Sequence, residues 1–207
     1  VKQVLESRST PHNPVLEVVL LHGHCLLNAR SVNYSFGTLH RVFEDAFAKL
    51  GLGQKTLKDV LVLGCGAGSV VEIVRGQYSK DCSITAVEID PVVIELARKY
   101  FLLDRVRGLE VVCTDARAFV GSCTRRFDLI VVDLFVDDQV PAPFRTREFL
   151  ESLRKLLAPE GWLVFNAIDD TKEAAAEADE LETNMRVVFL AVARLDLTGN
   201  RMFRATV

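Results

Sequence analysis

The stretch Val60-Leu61-Val62-Leu63-Gly64-Cys65-Gly66-Ala67-Gly68-Ser69-Val70-Val71-Glu72-Ile73-Val74 decides the fold. Its first four residues are an apolar run bounded by glycines, which predicts a short buried strand. Val70 to Tyr78 then reads as helix. Glycines between a strand and a helix permit positive φ and let a ligand approach the main chain. The spacing is G-x-G-x-G, and Ser69 stands where the dinucleotide fingerprint needs its third glycine, so a nicotinamide dinucleotide is disfavoured. A glycine-rich turn alone is a weak signal, since a tight strand-to-helix connection also uses glycines.

Downstream the alternation continues. Ile84 to Val87 predicts a second strand and Pro91 to Leu102 a helix with proline at its first position. Leu109 to Cys113 is a third strand, followed by a short helix at Ala116 to Val120. Phe127 to Val132 (FDLIVV) is a fourth strand, Phe144 to Leu157 a helix, and Trp162 to Phe165 a fifth strand after the turn Pro159-Glu160-Gly161. Thr171 to Thr183 reads as a polar helix, with Glu173 to Glu182 as its solvated face. Arg186 to Leu195 and Arg201 to Thr206 read as closing strands around Thr198-Gly199-Asn200, a hairpin turn. Short apolar strands separated by helices imply a parallel sheet covered on both faces. The expected fold is α/β: a Rossmann-like, doubly wound, seven-stranded and mostly parallel sheet with an antiparallel C-terminal edge hairpin. Its ligand belongs beyond the carboxyl ends of the strands, at the switch point.

Residues 1–56 differ. Leu16 to Leu20 and Cys25 to Asn28 predict a small hairpin around His22-Gly23, and Leu39 to Leu50 an amphipathic lead-in helix. The expected division is an N-terminal hairpin and helix extension at 1–56, serving as lid or dimer element, and a ligand-binding core at 57–207.

Composition bounds the function. The chain has 207 residues, 49% of them hydrophobic and 26% charged, enough for one full core and too apolar for disorder. Lys and Arg total 25 against 28 Asp and Glu, a net charge of −3, so binding to nucleic acid through bulk charge is not expected. No apolar run reaches a membrane-spanning length of about 18 residues, and Val1 to Ser9 does not read as a signal peptide. The five cysteines (Cys25, Cys65, Cys82, Cys113 and Cys123) form no C-x-x-C pair, consistent with reduced thiols in a cytoplasmic protein. His22, His24 and Cys25 are close together, but one such trio is short of a zinc set, and no metal is expected.

The acids at the strand tips carry the chemistry. Glu88 follows the second strand, where one carboxylate can accept both hydroxyls of a ribose. Asp90, just before Pro91, is better suited to cap the helix. Asp115, after the third strand, can accept an exocyclic amine or cap the helix that follows. Asp133 ends the apolar run of the fourth strand, where an unpaired buried carboxylate would be costly without a role.

A glycine-rich turn, a Glu and two Asp at four consecutive strand tips resemble the layout of class I S-adenosylmethionine-dependent transferases. The segments VLVLGCGAGSVVEIV, TAVEIDPVVIELARKYF, VVCTDARAF, FDLIVVDLF and TGNRMFRATV are closest to the spermidine synthase-like branch, across roughly residues 57–207. The hairpin at Leu16 to Asn28 and the region of Tyr34 are similar to a shortened form of that branch's small β-domain. The resemblance implies a cofactor, S-adenosylmethionine or its decarboxylated form. Gly64, Gly66 and Gly68 would lie around its amino-acid or propylamine part, Glu88 with Ile89 at the ribose, Asp115 and Ala116 at the adenine, and Asp133 near the sulfonium.

The departures bear on the reaction. Aminopropyltransferases of this branch carry GGGDGG in the glycine loop, and Ala67 stands at the Asp position here. Their D-S-S-D motif places a second Asp three residues on, where this chain has Val136, with Asp137 and Asp138 shifted. Of their Tyr-His-Glu segment only Tyr34 remains. A polyamine site must desolvate several ammonium groups and needs those carboxylates. Methyl transfer asks less: the sulfonium already activates the methyl, and the protein aligns a nucleophile with it. Asp133 and Tyr34 are the catalytic candidates, with His40 as a further base. The loop from Phe135 to Phe144 is expected over a small-molecule acceptor. The expected activity is methyl transfer, with aminopropyl transfer or nucleoside binding without turnover as alternatives. Association into a homodimer through the N-terminal hairpin is compatible with the sequence.

Overall fold

A computed structural model of the chain describes residues 2–29, 32–35, 37–136 and 139–207, with only the backbone at 32–35 and 38. Strands β1 (Lys2–Arg8), β2 (Leu16–Leu21), β3 (His24–Ala29) and β4 (Val32–Ser35) form an antiparallel sheet in sequential order. The hairpin around His22-Gly23 is the β2–β3 turn, with both residues at positive φ. Strand β1 escapes the periodicity reading because its residues are almost all exposed, so no apolar alternation marks it. Helix α1 (Thr38–Leu50) leads into the second sheet and ends on Gly51 in the left-handed region.

The second sheet contains β5 (Asp59–Leu63), β6 (Ser83–Glu88), β7 (Leu109–Cys113), β8 (Phe127–Val132), β9 (Leu157–Ile168), β10 (Ala191–Leu197) and β11 (Asn200–Thr206). Their order is β10-β11-β9-β8-β5-β6-β7, with β11 antiparallel to both neighbours and the other pairings parallel. The expected seven-stranded, mostly parallel sheet with an antiparallel edge hairpin is therefore observed. The intervening helices are α2 (Ser69–Ile73, continued as a wider turn over Val74–Tyr78), α3 (Pro91–Phe101), α4 (Ala116–Ser122), α5 (Arg147–Leu156) and α6 (Lys172–Val188).

Strand alternation divides the core. Val60 and Val62 face α1, α2 and α3, whereas Leu61 and Leu63 face α4, α5 and α6. Leu16, Val18 and Leu27 of the first sheet pack into the same apolar cluster as Phe43 and Phe47 of α1. That shared burial ties the N-terminal sheet to the larger one.

Three element boundaries differ from the sequence expectation. The strand expected at Arg186 to Leu195 starts only at Ala191, because α6 runs on to Val188. Ala178, Leu181, Met185 and Val188 form a buried helical stripe, and Arg186 pairs with Glu182 one turn back, so packing overrides the β-branched Val187-Val188. The helix expected from Phe144 begins at Arg147, where the Thr146 hydroxyl accepts from the Phe149 N–H. Strand β9 begins at Leu157 and carries Pro159-Glu160-Gly161 as a bulge, its pairing shifting between Phe127 and Leu129. Among the described residues, no helix is long and apolar enough to cross a membrane.

Candidate active site

The chain winds from β5 outward to β6 and β7 on one side, then crosses to β8 on the other. The crevice at that reversal is where a doubly wound sheet takes its ligand. A cleft of about 270 Å³ lies there. It is walled by Gly64, Glu88, Ile89, Asp115, Ala116 and Asp133 from the strand tips, and by His12 and Asn13 from the β1–β2 loop. Leu134, Phe135, Val136, Pro141 and Phe144 close its far side.

Gly64 leaves β5 at φ +88°, and a Cβ there would fall 2.0 Å from the main-chain oxygen of Asp133. The residue is glycine because β5 and β8 approach too closely at their tips for any side chain. Gly66, also at positive φ, donates its N–H to Glu88 Oε2 at 2.9 Å. Gly68 sits apart from the cleft lining, at the head of α2 at φ +99°, where a Cβ would meet Leu103 at 2.7 Å. The glycine turn thus brings its first member to the cleft and its second to Glu88, and uses its third for helix packing.

Glu88 is 3% exposed and takes a second N–H, from Asp90 at 3.1 Å to Oε1. Burial raises its pKa above the ordinary carboxylate value, with the charge of Asp90 adding to the rise and the main-chain N–H groups of Asp90, Gly66 and Ile89 opposing it. Asp115 caps α4 by accepting from the Ala118 N–H at 3.0 Å, and it lines the cleft as well. Asp90 is a cap, accepting from the Val92 N–H at 3.0 Å. Its other oxygen accepts from the Thr10 hydroxyl at 2.5 Å and the Asn13 side-chain amide at 2.8 Å, pinning the β1–β2 loop beside the cleft.

Asp133 is half-buried, and its Oδ1 accepts from the Asn166 side-chain amide at 2.9 Å. Burial pushes its carboxyl up from 3.8 to about 7, Asn166 opposing and nearby Glu88 adding to the rise. A carboxyl titrating near neutrality can accept a proton at physiological pH and release it again. The cleft holds three carboxylates and, among its described lining residues, no Lys or Arg. Such a field suits a cationic ligand and repels phosphates.

Tyr34 lies on β4, and its side chain is outside the described residues, as are Asp137 and Asp138. His40 stands 3.7 Å from Glu44 one turn along α1 and does not line the cleft. His24 and Cys25 are adjacent on one strand, so their side chains point to opposite faces. Among the described residues, no group of three or more His, Cys, Asp or Glu is disposed to hold a metal.

Sequence reasoning missed Asn13, His12 and Asn166. The first two lie in a loop with no motif. Asn166 carried a usable signal, a polar residue closing the apolar run Leu163-Val164-Phe165, the same logic that singled out Asp133.

Comparison with known proteins agrees with this architecture. A polyamine aminopropyltransferase of Vibrio vulnificus is 34% identical over 116 residues, which cover 55% of this chain and 38% of that protein. An eEF1A lysine and N-terminal methyltransferase homolog of Drosophila pseudoobscura pseudoobscura is 32% identical over 151 residues, 68% of this chain and 22% of that protein. The chain thus spans well under half the length of these relatives. Among solved structures, a probable spermidine synthase from Corynebacterium glutamicum superposes with a TM-score of 0.82 at 22% identity, over all of this chain and 80% of that one. Human methyltransferase-like protein 13, in complex with SAH, gives 0.68 at 22% identity over 83% of each chain. Residues 41–198 match the spermine/spermidine synthase domain model, and the chain belongs to that family, within the class I S-adenosylmethionine-dependent transferases.

Proposed function

We propose that the chain is an S-adenosylmethionine-dependent methyltransferase of spermidine synthase-like fold that acts on a small acceptor. The acidic cleft, three carboxyl groups at the switch point with no Lys or Arg among the described lining residues, supports a sulfonium nucleoside, and the observation that carries methyl over aminopropyl transfer is the apolar far wall of described residues. S-adenosylmethionine is a phosphate-free nucleoside with a sulfonium cation, and it supplies a methyl already activated for transfer. In this reading Glu88 takes the ribose hydroxyls and Ile89 packs beside them. Asp115 and Ala116 meet the adenine, and Gly64 leaves room for the amino-acid part, with Gly66 and Gly68 shaping the turn behind it. Asp133 faces the sulfonium and accepts the acceptor's proton, with Tyr34 as the second catalytic residue. The N-terminal segment 1–56 serves as a lid on the core 57–207, a role supported by the bonds of Thr10 and Asn13 to Asp90. The five cysteines are free thiols, which supports a cytoplasmic location. No nucleic-acid or membrane partner belongs to this reading, and a homodimer through the N-terminal hairpin is compatible with it.

Aminopropyl transfer from decarboxylated S-adenosylmethionine is the second reading, favoured by the family itself and by the Vibrio relative. Against it stands the far wall of the cleft, formed by Leu134, Phe135, Val136, Pro141 and Phe144. Among the described residues that wall is apolar, and an apolar wall gives no compensation for desolvating the ammonium groups of a polyamine. Calorimetric titration with both nucleosides separates the two readings. Preference for S-adenosylmethionine is expected, and preference for the decarboxylated form would overturn methyl transfer. Binding of neither would leave only the scaffold reading. Glu88→Ala should weaken the bound nucleoside by about 1.5–3 kcal/mol, the worth of hydrogen bonds to a charged group, and unchanged affinity would remove Glu88 from the site.

A further inference from the structure

Beyond the strand tips named so far, a line of amides leads to Asp133. Asn166, at the end of β9, is fully buried. Its Nδ2 donates to Asp133 Oδ1 at 2.9 Å, and its Oδ1 accepts from Asn200 Nδ2 at 3.0 Å. Asn200 is half-buried and opens β11 at the β10–β11 turn. An ionised carboxylate can only accept, so the nitrogen of the Asn166 amide must face Asp133 and its oxygen must face away. That oxygen would be an unmet acceptor in the core without the donor from Asn200.

We propose that Asn166 and Asn200 are positioning residues, an amide relay that fixes the orientation of the Asp133 carboxylate and holds its proton affinity down. Oδ1 is committed to the relay, which leaves Oδ2 to serve the cleft. Among the described residues, the other titratable groups lining the cleft are Glu88 from β6, Asp115 at the head of α4 and His12 from the β1–β2 loop. None of the described lining residues is a Lys or Arg that could stabilise the ionised form instead. The amide dipole of Asn166 is therefore the principal local counterweight to burial and to the charge of Glu88. The turn Thr198-Gly199-Asn200, read from sequence only as a hairpin, acquires a second role in setting which way that amide points.

The part of this proposal that makes Asp133 a proton acceptor rests on the functional reading above, whereas the effect of the relay on its titration does not. The test is carbon-13 NMR of the Asp carboxyl carbons in the whole protein, with the Asp133 signal assigned by its loss in Asp133→Asn. In Asn166→Leu the Asp133 midpoint should rise by about one pH unit or more, as expected when a hydrogen bond to a charged acceptor is lost. Asn200→Ala should raise it by a smaller amount, and the double variant should go no further than Asn166→Leu alone. An unchanged midpoint in Asn166→Leu, or shifts from the two sites that simply add, would overturn the relay. If Asn166→Leu does not fold, Asn200→Ala decides alone, because its side chain lies at a partly exposed turn, and an unchanged midpoint there is refuting. A shifted midpoint in a protein that binds no S-adenosylmethionine would uphold the relay and defeat the functional reading.

Discussion

Replacing Asp90 by Ala tests how the N-terminal loop is held against the cleft. Asp90 is fully buried and its carboxylate receives three donors: the Val92 N–H, the Thr10 hydroxyl and the Asn13 side-chain amide. Loss of the helix cap costs about 1 kcal/mol. Each side-chain bond to a charged group is worth about 1.5–3 kcal/mol, at the lower end here because Thr10 and Asn13 can rehydrate once released. Relief of the repulsion between Asp90 and Glu88 offsets part of this. The net loss should be about 2–4 kcal/mol, or roughly 10 °C in Tm for a chain of this size. The Thr10 hydroxyl also accepts from the N–H groups of His12 and Asn13, so the loop is a tight turn whose anchor point is Asp90. Urea denaturation of Asp90→Ala, Asn13→Ala and the double variant gives a cycle, and the coupling between the two sites should be about 1.5 kcal/mol. Amide hydrogen exchange at residues 9–15 should accelerate in Asp90→Ala well before global unfolding. A cost below about 1 kcal/mol, strict additivity, or unchanged exchange in the loop would refute the idea that Asp90 joins the two parts of the site.

Gly64→Ala should destabilise by at least about 3 kcal/mol, since it combines positive φ with main-chain overlap. Gly76→Ala, where a Cβ meets nothing within 4 Å, should be neutral or slightly stabilising by the same urea assay. Asp133→Asn should flatten the pH dependence of stability. The folded carboxyl binds its proton up to about pH 7 and the unfolded one only to 3.8, so the wild type loses stability as pH rises through that window. At about 1.4 kcal/mol per unit the loss has a ceiling of about 4 kcal/mol, and Asp133→Asn should overtake the wild type above pH 7; parallel profiles from pH 5 to 8 would count against the buried carboxyl.

The alternation of apolar runs with glycine and helix was enough to read the seven-stranded core, because strands buried on both faces must be almost wholly apolar. Glu88, Asp115 and Asp133 were legible for the same reason: a carboxylate closing such a run is conspicuous, and in a parallel sheet every run ends on one rim. The cap at Asp90 was legible from Asp-Pro alone. Other features had no local signature. Strand β1 is nearly all exposed and gains its place only by pairing with β2. The end of α6 depended on a stripe that has meaning only against the sheet beneath it.

What the sequence determined by itself was therefore the layering of the sheet and the rim on which its acids converge, since both follow from patterns within a few residues of each other. What only the tertiary structure decided were the contacts between distant segments. Thr10 and Asn13 reach Asp90 across about 80 positions, and Asn200 reaches Asp133 through Asn166. Such pairings depend on which strand tips and loops fold side by side, and hydrogen bonds between them leave no periodic trace in either partner's neighbours.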